Sequence, residues 1–166
     1  MRCLLRTDHP QRGKALEKIS LWLSIHSSVK IVATYASLPG EVDLSALVKR
    51  HPSHHWAFPK VTAAGELRFY HVMDPARDLA PGAFGIMEPH EELPNITIPE
   101  IDAFLCPGIA FDTRGGRLGR GRGFYDRILA SARPDAFKIG VCFGFQQVPD
   151  TFAEEHDVPM DEVIAD

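Results

Sequence analysis

Hydrophobic residues recur at helical spacing near the start of the chain and then give way to a β-branched run. The repeat over Arg12 to His26 predicts an amphipathic helix, and the run over Val29 to Ser37 predicts a buried strand. A Pro-Gly turn then leads into a second predicted helix, from Glu41 to Arg50. Glu41 and Asp43 would lie in its first turn, where acidic side chains complement the helix dipole. The apolar positions of the first helix are Ala15, Ile19, Trp22 and Leu23.

Short strands and turns predominate in the rest of the chain. Two segments, 55–59 and 66–72, predict strands on either side of a turn. The stretch 73–99 is rich in proline and has no regular period, which predicts an irregular segment. Beyond it the pattern predicts three more elements: a strand over 101–108, a helix over 124–133 and a strand over 137–144.

Strands that alternate with helices favour an α/β architecture, in which helices cover both faces of a mostly parallel sheet. At 166 residues the chain is long enough to build one domain around its own hydrophobic core. Neither an internal repeat nor a long linker divides the sequence. We therefore expect a single three-layer α/β domain over residues 1–166.

Composition narrows the class of protein without indicating a function. The 45% hydrophobic content is typical of a soluble globular protein, and the net charge of −4 disfavours general binding to nucleic acid. No apolar run has the length of a signal peptide or a membrane span. Cys3, Cys106 and Cys142 lack the spacing of a zinc or redox motif. These features predict a cytoplasmic protein with reduced thiols.

Glycines alternate with arginines between Gly115 and Gly123, directly after a predicted strand and before a predicted helix. Ligands of parallel sheets gather at such strand ends. Glycines let backbone N–H groups approach an anion, and arginines supply forked donors that match phosphate or carboxylate. Asp126 could add an oxygen ligand for magnesium. The stretch therefore predicts a phosphate site, with Arg117, Arg120 and Arg122 as its cations.

Other interpretations of the same residues remain open at this point. The glycine spacing matches neither G-x-G-x-x-G nor a P-loop, so a flexible surface loop or an RNA-contacting segment would also fit. His51, His54 and His55 lie close together without a carboxylate pattern, which favours exposed turn residues over a metal site. Cys106 has no histidine partner, and we expect it to be a small buried hydrophobic residue.

Several motifs follow one another in an order that is specific to one family. They are Pro107-Gly108, Phe111-Asp112, the Arg-Leu-Gly-x-Gly-x-Gly run from Arg117 to Gly123, and Phe124-Tyr125-Asp126-Arg127. This series resembles the signature of the 5-formyltetrahydrofolate cyclo-ligases, also called methenyltetrahydrofolate synthetases. Phe124 stands where that signature has tyrosine. Weaker matches at 37–47, 84–89 and 156–164 extend the resemblance over roughly residues 29–164.

The resemblance implies a fold of the NagB/RpiA/CoA-transferase-like type and an ATP-dependent ligase. Such an enzyme converts 5-formyltetrahydrofolate to 5,10-methenyltetrahydrofolate while ATP becomes ADP and phosphate. Phosphorylation of the formyl oxygen precedes attack by N10. The expected partners are ATP and the folate, with Mg²⁺ as cofactor and with neither nucleic acid nor membrane. We expect the protein to be a monomer.

The resemblance also implies roles for individual residues. ATP would contact Arg2, Arg6, Arg117, Leu118, Gly119, Arg120, Gly121, Arg122, Gly123, Phe124 and Tyr125. The folate would contact Ala36, Glu41, Arg120, Gly121, Arg122, Gly123 and Phe124. The expected catalytic residues are Arg120, Arg122 and Tyr125, and the expected metal ligands are Asp126 and Asp157.

Two departures from the family pattern support a second hypothesis. Arg2 stands where the family has lysine near the start of the chain, and Phe124 lacks a hydroxyl group. A member that binds a folate or a nucleotide without turning it over is therefore the alternative to an enzyme. Without the resemblance, Asp126 would be read as a helix-terminal charge and Asp157 as a surface acid.

Overall fold

The computed structural model describes residues 13–82 and 85–166. Helix α1 (Lys14–Ile25) confirms the first predicted helix, and all four apolar positions of its pattern are buried. Strand β1 (Ile31–Ala33) lies within the predicted strand but is only three residues long. Helix α2 (Ser45–Arg50) begins four residues later than predicted, so the expected acidic first turn is wrong.

Two antiparallel strands follow as predicted, β2 (His55–Val61) and β3 (Leu67–Val72). The stretch 73–99 is less irregular than predicted, because it holds the one-turn helix α3 (Pro75–Asp78) and the strands β4 (Leu79–Pro81), β5 (Met87–Pro89) and β6 (Asn95–Ile96). The remaining elements are β7 (Ala103–Cys106), β8 (Ala110–Phe111), β9 (Arg117–Leu118), α4 (Phe124–Ala130), β10 (Phe137–Cys142) and β11 (Glu162–Ala165). The 3₁₀ turns Ile98–Glu100 and Gly144–Gln146 also lie in the described part of the chain.

Seven strands form the central sheet in the order β11-β10-β7-β1-β2-β3-β6. The first five run parallel, whereas β3 is antiparallel to both of its neighbours. Two small ribbons, β4-β5 and β8-β9, lie outside this sheet. The mostly parallel order confirms the predicted fold class. Because β1 and β7 are adjacent and parallel, the loops that follow them open at the same edge.

The two faces of the sheet pack against different helices, because successive strand residues point to opposite sides. In β7, Ala103 and Leu105 join the hydrophobic core that includes α1 and α2. Phe104 and Cys106 join the core that includes α4. Helices therefore cover both faces, and the sheet is the middle of three layers.

The edge strand β11 was not predicted from the sequence. It pairs in parallel with β10, and only Ile164 of its four residues is buried, so it has almost no hydrophobic period. Trp22 Nε1 of α1 donates to Glu162 Oε2 at 3.1 Å. The Ala15 N–H donates to Asp166 Oδ1 at 2.9 Å. These contacts attach the end of the chain to the first helix.

Candidate functional site

A cavity of about 720 Å³ opens at the carboxyl edge of the sheet. Tyr35 and Ala36, which follow β1, line it together with Pro107 and Gly108, which follow β7. The arginine-glycine loop forms another wall with Arg117, Leu118, Gly119, Arg120, Gly121, Arg122, Gly123, Phe124, Tyr125 and Asp126. The loop thus lies where the strand order favours ligand binding.

A buried carboxylate fixes the turn between β8 and β9, just before the loop. Asp112 accepts hydrogen bonds from the N–H groups of Arg114 and Gly116 at 2.9 and 3.0 Å. It also accepts from the hydroxyl and the N–H of Thr151 at 2.7 and 3.0 Å. The bond from the Thr151 hydroxyl, with the three backbone bonds, holds the pKa of Asp112 well below its usual range. We call these four residues the Asp112 clasp.

Gly115 lets the C-terminal segment approach the clasp closely. Its φ is +85°, and a Cβ atom at this position would lie 2.2 Å from the carbonyl oxygen of Met160. The Met160 N–H donates to the Gly115 carbonyl oxygen at 2.8 Å. Glycine is therefore required here for packing, in addition to any role that the following glycines have with a ligand.

Arg117 is the buried arginine of the loop, with 5% of its side chain exposed. Its Nη2 lies 3.3 Å from both carboxylate oxygens of Asp126, and its Nη1 donates to the Pro107 carbonyl oxygen at 3.4 Å. The guanidinium carbon lies 5.3 Å from the centre of the Tyr125 ring. The buried Nε has no hydrogen-bond partner among the described residues. Arg117 therefore lines the cavity and also holds a buried donor that no described residue satisfies.

Arg120 joins the loop to the opposite wall of the cavity by an ion pair. Its Nη2 lies 3.2 Å from Oε1 of Glu41, whose side chain is 9% exposed, whereas that of Arg120 is 54% exposed. The other oxygen, Oε2, accepts from the Leu38 N–H at 2.9 Å. The pair thus brings together two of the residues that were expected to contact the folate.

Glu41 owes its position to the chain before α2, and the helix-dipole role predicted for it is wrong. Gly40 has a φ of +91° and turns the chain, and the alternating residues Val42 and Leu44 are buried in a non-helical segment. This burial delays the helix start to Ser45. It leaves the Glu41 carboxylate at the cavity.

Two tyrosines at the cavity have phenol groups that stay protonated at neutral pH. Burial raises the pKa of Tyr35 well above its usual value, with Glu41 as the next cause. The Tyr35 hydroxyl donates to the Val42 carbonyl oxygen at 3.0 Å. Burial likewise raises the pKa of Tyr125. Both side chains are therefore hydrogen-bond donors and not bases at neutral pH.

The rim of the loop is more exposed than its start. Arg122 is exposed, and its carbonyl oxygen accepts from Nη1 of Arg127 at 3.0 Å. The Arg127 guanidinium carbon lies 5.2 Å from the centre of the partly buried Phe124 ring. Gly121 and Gly123 have positive φ, and a Cβ at Gly121 would meet no atom within 4 Å. The backbone at Gly121 is therefore accessible to a ligand.

The two expected metal ligands both line the cavity. Asp126 Oδ1 accepts a 3.4 Å hydrogen bond from the N–H of Val158, the residue after Asp157. Asp157 Oδ2 accepts from the Glu154 N–H at 2.7 Å, and a quarter of its side chain is exposed. Among residues 13–82 and 85–166, no group of three or more metal-binding side chains is present. These two carboxylates could therefore supply only part of a coordination sphere.

Other predicted residues fall into three groups. Ala36 lines the cavity, as does Leu118, whereas Arg2 and Arg6 lie outside the described residues. Cys106 is buried, as predicted, and this burial raises its pKa to about 12. The three neighbouring histidines do not form a metal cluster in the described part of the chain.

Thr151 and Phe152 are among the contributors to the site that sequence reasoning missed. Thr151 completes the Asp112 clasp, and Phe152 lines the cavity with 84% of its surface exposed. Neither belongs to a helix or a strand. The only signal in the sequence was their position just before the motif match at 156–164.

The cavity combines charges of both signs at defined places. Arg120 and Arg122 line one wall and could stabilise an anionic group, and the buried Arg117 lines the cavity as well. Glu41 lines the other wall and could accept hydrogen bonds from an amino-substituted ring. The arrangement suits a ligand, or a pair of ligands, that carries both kinds of group.

No helix in the described part of the chain is both long and apolar enough to cross a membrane.

The chain is 29% identical to the 5-formyltetrahydrofolate cyclo-ligase of Haemophilus influenzae over 171 residues, covering 93% of this chain and 85% of that protein. It is 30% identical to the Escherichia coli K12 protein of the same name over 141 residues, covering 80% and 76%.

A solved structure extends the similarity to the fold. The NMR structure of Aquifex aeolicus 5,10-methenyltetrahydrofolate synthetase superimposes with a TM-score of 0.79 and 35% identity, covering 93% of this chain and 79% of that one. The model of the 5-formyltetrahydrofolate cyclo-ligase family matches residues 5–166. The chain belongs to the 5-formyltetrahydrofolate cyclo-ligase family.

Proposed function

We propose that this chain is an ATP-dependent 5-formyltetrahydrofolate cyclo-ligase, which forms 5,10-methenyltetrahydrofolate, ADP and phosphate. The observation that carries the proposal is that the loop arginines and Glu41 line one cavity. Its volume of about 720 Å³ lies within the usual range for small-molecule sites. Family membership supports the same activity.

Glu41 would bind the folate by its amino-pterin edge, with Ala36 in the wall beside it. The Oε1 atom that now pairs with Arg120 is the acceptor closest to the loop. A pterin amino group that takes over this acceptor releases the Arg120 guanidinium. The released cation can then stabilise the formyl oxygen or a phosphate, so binding of the folate completes the cationic wall.

The ATP phosphates would lie along the loop from Arg117 to Tyr125. Arg117 lines the cavity, and the accessible backbone near Gly121 allows close approach of an anion. Arg120 and Arg122 would surround the transferred group. Arg2 and Arg6 are expected to complete the nucleotide contacts from the N-terminal segment.

The chemistry begins with transfer of the γ-phosphoryl group to the formyl oxygen, which turns a poor leaving group into phosphate and releases ADP. N10 then attacks the formyl carbon, the C–O bond breaks as phosphate leaves, and N10 loses its proton. Phosphoryl transfer of this kind needs positioning and charge stabilisation more than a protein nucleophile. Arg120 and Arg122 would stabilise the developing negative charge, and the protonated Tyr125 would donate a hydrogen bond.

Asp126 and Asp157 fit a magnesium ion as a partial ligand set. Mg²⁺ in nucleotide sites commonly takes one or two carboxylates and fills its other positions with phosphates and water. When bound, the ion would neutralise charge on the ATP phosphates. Asp126 would have to share its carboxylate with Arg117, which already contacts both oxygens.

The direct test is to mix the protein with ATP, Mg²⁺ and 5-formyltetrahydrofolate and to follow absorbance in the band of the methenyl product. We expect ATP-dependent product formation that stops when any component is omitted. Binding of the folate or ATP without product would reject the enzyme and favour a non-catalytic binding protein.

Three further properties of the protein belong to the proposal. We infer that it acts in the cytoplasm, as a monomer and without a nucleic-acid partner. Light scattering after size exclusion measures the mass in solution and so tests the monomeric state. A mobility-shift assay with RNA tests the absence of nucleic-acid binding.

A further inference from the structure

Phe152 has a left-handed backbone conformation and a side chain that is almost fully exposed to solvent. Its φ is +54°, and among the described residues other than glycine it alone has positive φ. Its exposed fraction of 84% exceeds that of every other large hydrophobic residue in the described part of the chain. Left-handed backbone in a bulky residue and an aromatic ring held in water both oppose folding. Such outliers concentrate at ligand sites.

Hydrogen bonds fix the backbone that leads into Phe152. The preceding residue, Thr151, is buried and is bound to Asp112 by its N–H and its hydroxyl. The Phe152 N–H itself donates to Asp150 Oδ1 at 2.8 Å, and Asp150 forms a 2.6 Å ion pair with Arg114. The Asp112 clasp therefore fixes the backbone that carries the ring, in spite of the backbone strain.

Phe152 lies where two cavities share a wall. It lines the cavity of about 720 Å³ and also an adjoining one of about 270 Å³. Arg117 and Asp157 line both cavities as well. The exposed ring is thus next to the residues to which the proposed function assigns the ATP phosphates and the metal.

We propose that Phe152 is a stacking platform for a flat aromatic ring of a substrate, either the adenine of ATP or a ring of the folate. This inference rests on the proposed function for the identity of the two ligands. A solvent-exposed aromatic side chain on a fixed backbone offers a π-face at the cavity, and binding has to order only its two side-chain torsions. Ring stacking also buries the apolar surface that the free protein leaves in water.

The test measures binding of each ligand separately, by calorimetry with a non-hydrolysable ATP analogue and with 5-formyltetrahydrofolate. Phe152→Ala should raise Kd for one of them by about fivefold or more, the lower range for loss of a ring stack. Phe152→Gly should do the same without loss of thermal stability, because it also removes the backbone strain. Phe152→Tyr keeps the ring and should bind within about twofold of wild type.

Phe145→Ala is the matched control, because Phe145 is 71% exposed and lines neither cavity. If Phe152→Ala changes Kd for the ATP analogue, adenine is the stacked ring. If it changes Kd for 5-formyltetrahydrofolate, a ring of the folate is stacked. Unchanged Kd values for both ligands in Phe152→Ala overturn the platform, as does equal loss in Phe152→Tyr. If wild type binds both ligands with the expected variant effects but makes no product, the enzyme proposal fails while the platform stands. Absence of binding to wild type would reject both.

Discussion

The two parts of the signature segment, 111–116 and 119–126, are separated by only two residues and differ in the contacts that hold them. In the first half, Asp112 is buried and accepts four hydrogen bonds of 3.0 Å or less. In the second half, Asp126 is a fifth exposed and its contacts are all 3.3 to 3.4 Å. The first half is satisfied by the protein itself, whereas the second keeps capacity for a ligand.

The same residue types therefore serve different purposes in the two parts of the motif. Glycine and aspartate in 111–116 serve the close approach of distant chain segments. In 119–126, Gly121 borders open space, and Arg120 and Arg122 line the cavity. A variant in the first half should therefore change stability first, and a variant in the second half should change activity first.

The largest difference is expected from one matched pair of variants, Gly115→Ala and Gly121→Ala. Both glycines have similar φ, +85° and +82°, but a Cβ at Gly115 would clash with the backbone of Met160, whereas one at Gly121 meets open space. We expect Gly115→Ala to lower the free energy of unfolding by about 3 kcal/mol or more, and Gly121→Ala by about 1 kcal/mol. Urea unfolding measures both. Equal losses would remove the distinction between the two halves.

The charge of the Asp112 clasp should appear in the pH dependence of stability. The folded-state pKa of Asp112 is lowered, so its contribution is complete above the unfolded pKa of about 3.9 and is lost as pH falls below it. Asp112→Asn should cost about 2 kcal/mol near pH 6, since it replaces an ionised acceptor. The gap between wild type and variant should narrow toward about pH 2. A gap that stays constant with pH would mean that the charge is irrelevant to the clasp.

Arginines of the second half should affect catalysis more than folding. Arg120→Ala and Arg122→Ala each remove a forked donor worth about 1.5 kcal/mol when it bonds a charged group, which corresponds to roughly tenfold in kcat/KM. Steady-state kinetics at low ATP measures this. Arg133→Ala is a suitable control, because Arg133 pairs with Asp102 and lines neither cavity. Wild-type kcat/KM in both loop variants would contradict the phosphate site.

Asp126→Asn and Asp157→Asn test whether the two acids share one ion. Each should raise the Mg²⁺ concentration for half-maximal activity by about threefold to tenfold, and the double variant should lose less than the sum. Asp126→Asn also weakens the ion pair between Asp126 and Arg117. The thermal stability of this variant must therefore be measured in parallel. Additive losses with unchanged Mg²⁺ dependence would leave Asp157 as an ordinary surface acid.

Sequence alone predicted the elements with strong local patterns, such as α1 and the central strands. It failed where long-range packing determines the structure. Helix α2 starts at Ser45 because the preceding residues Val42 and Leu44 are buried in a non-helical segment. The position of the arginine-glycine loop followed from strand order. Its contact with Glu41 spans 79 residues, and the need for Gly115 comes from Met160, so neither could be read from spacing.

The smallest effect is expected at Phe124, where the chain departs from the tyrosine of its family signature. The Phe124 ring lies beneath Arg127, lines the cavity and is only partly buried, so an added hydroxyl can reach solvent or ligand. We expect Phe124→Tyr to keep kcat/KM within about twofold of wild type, because the ring and its cation–π contact persist. Phe124→Ala, which removes the ring, should lose more and serves as the control in the same assay. A folded Phe124→Tyr protein with a tenfold loss would show that this wall is packed as tightly as the Asp112 clasp, and the contrast between the two halves would then end at residue 123.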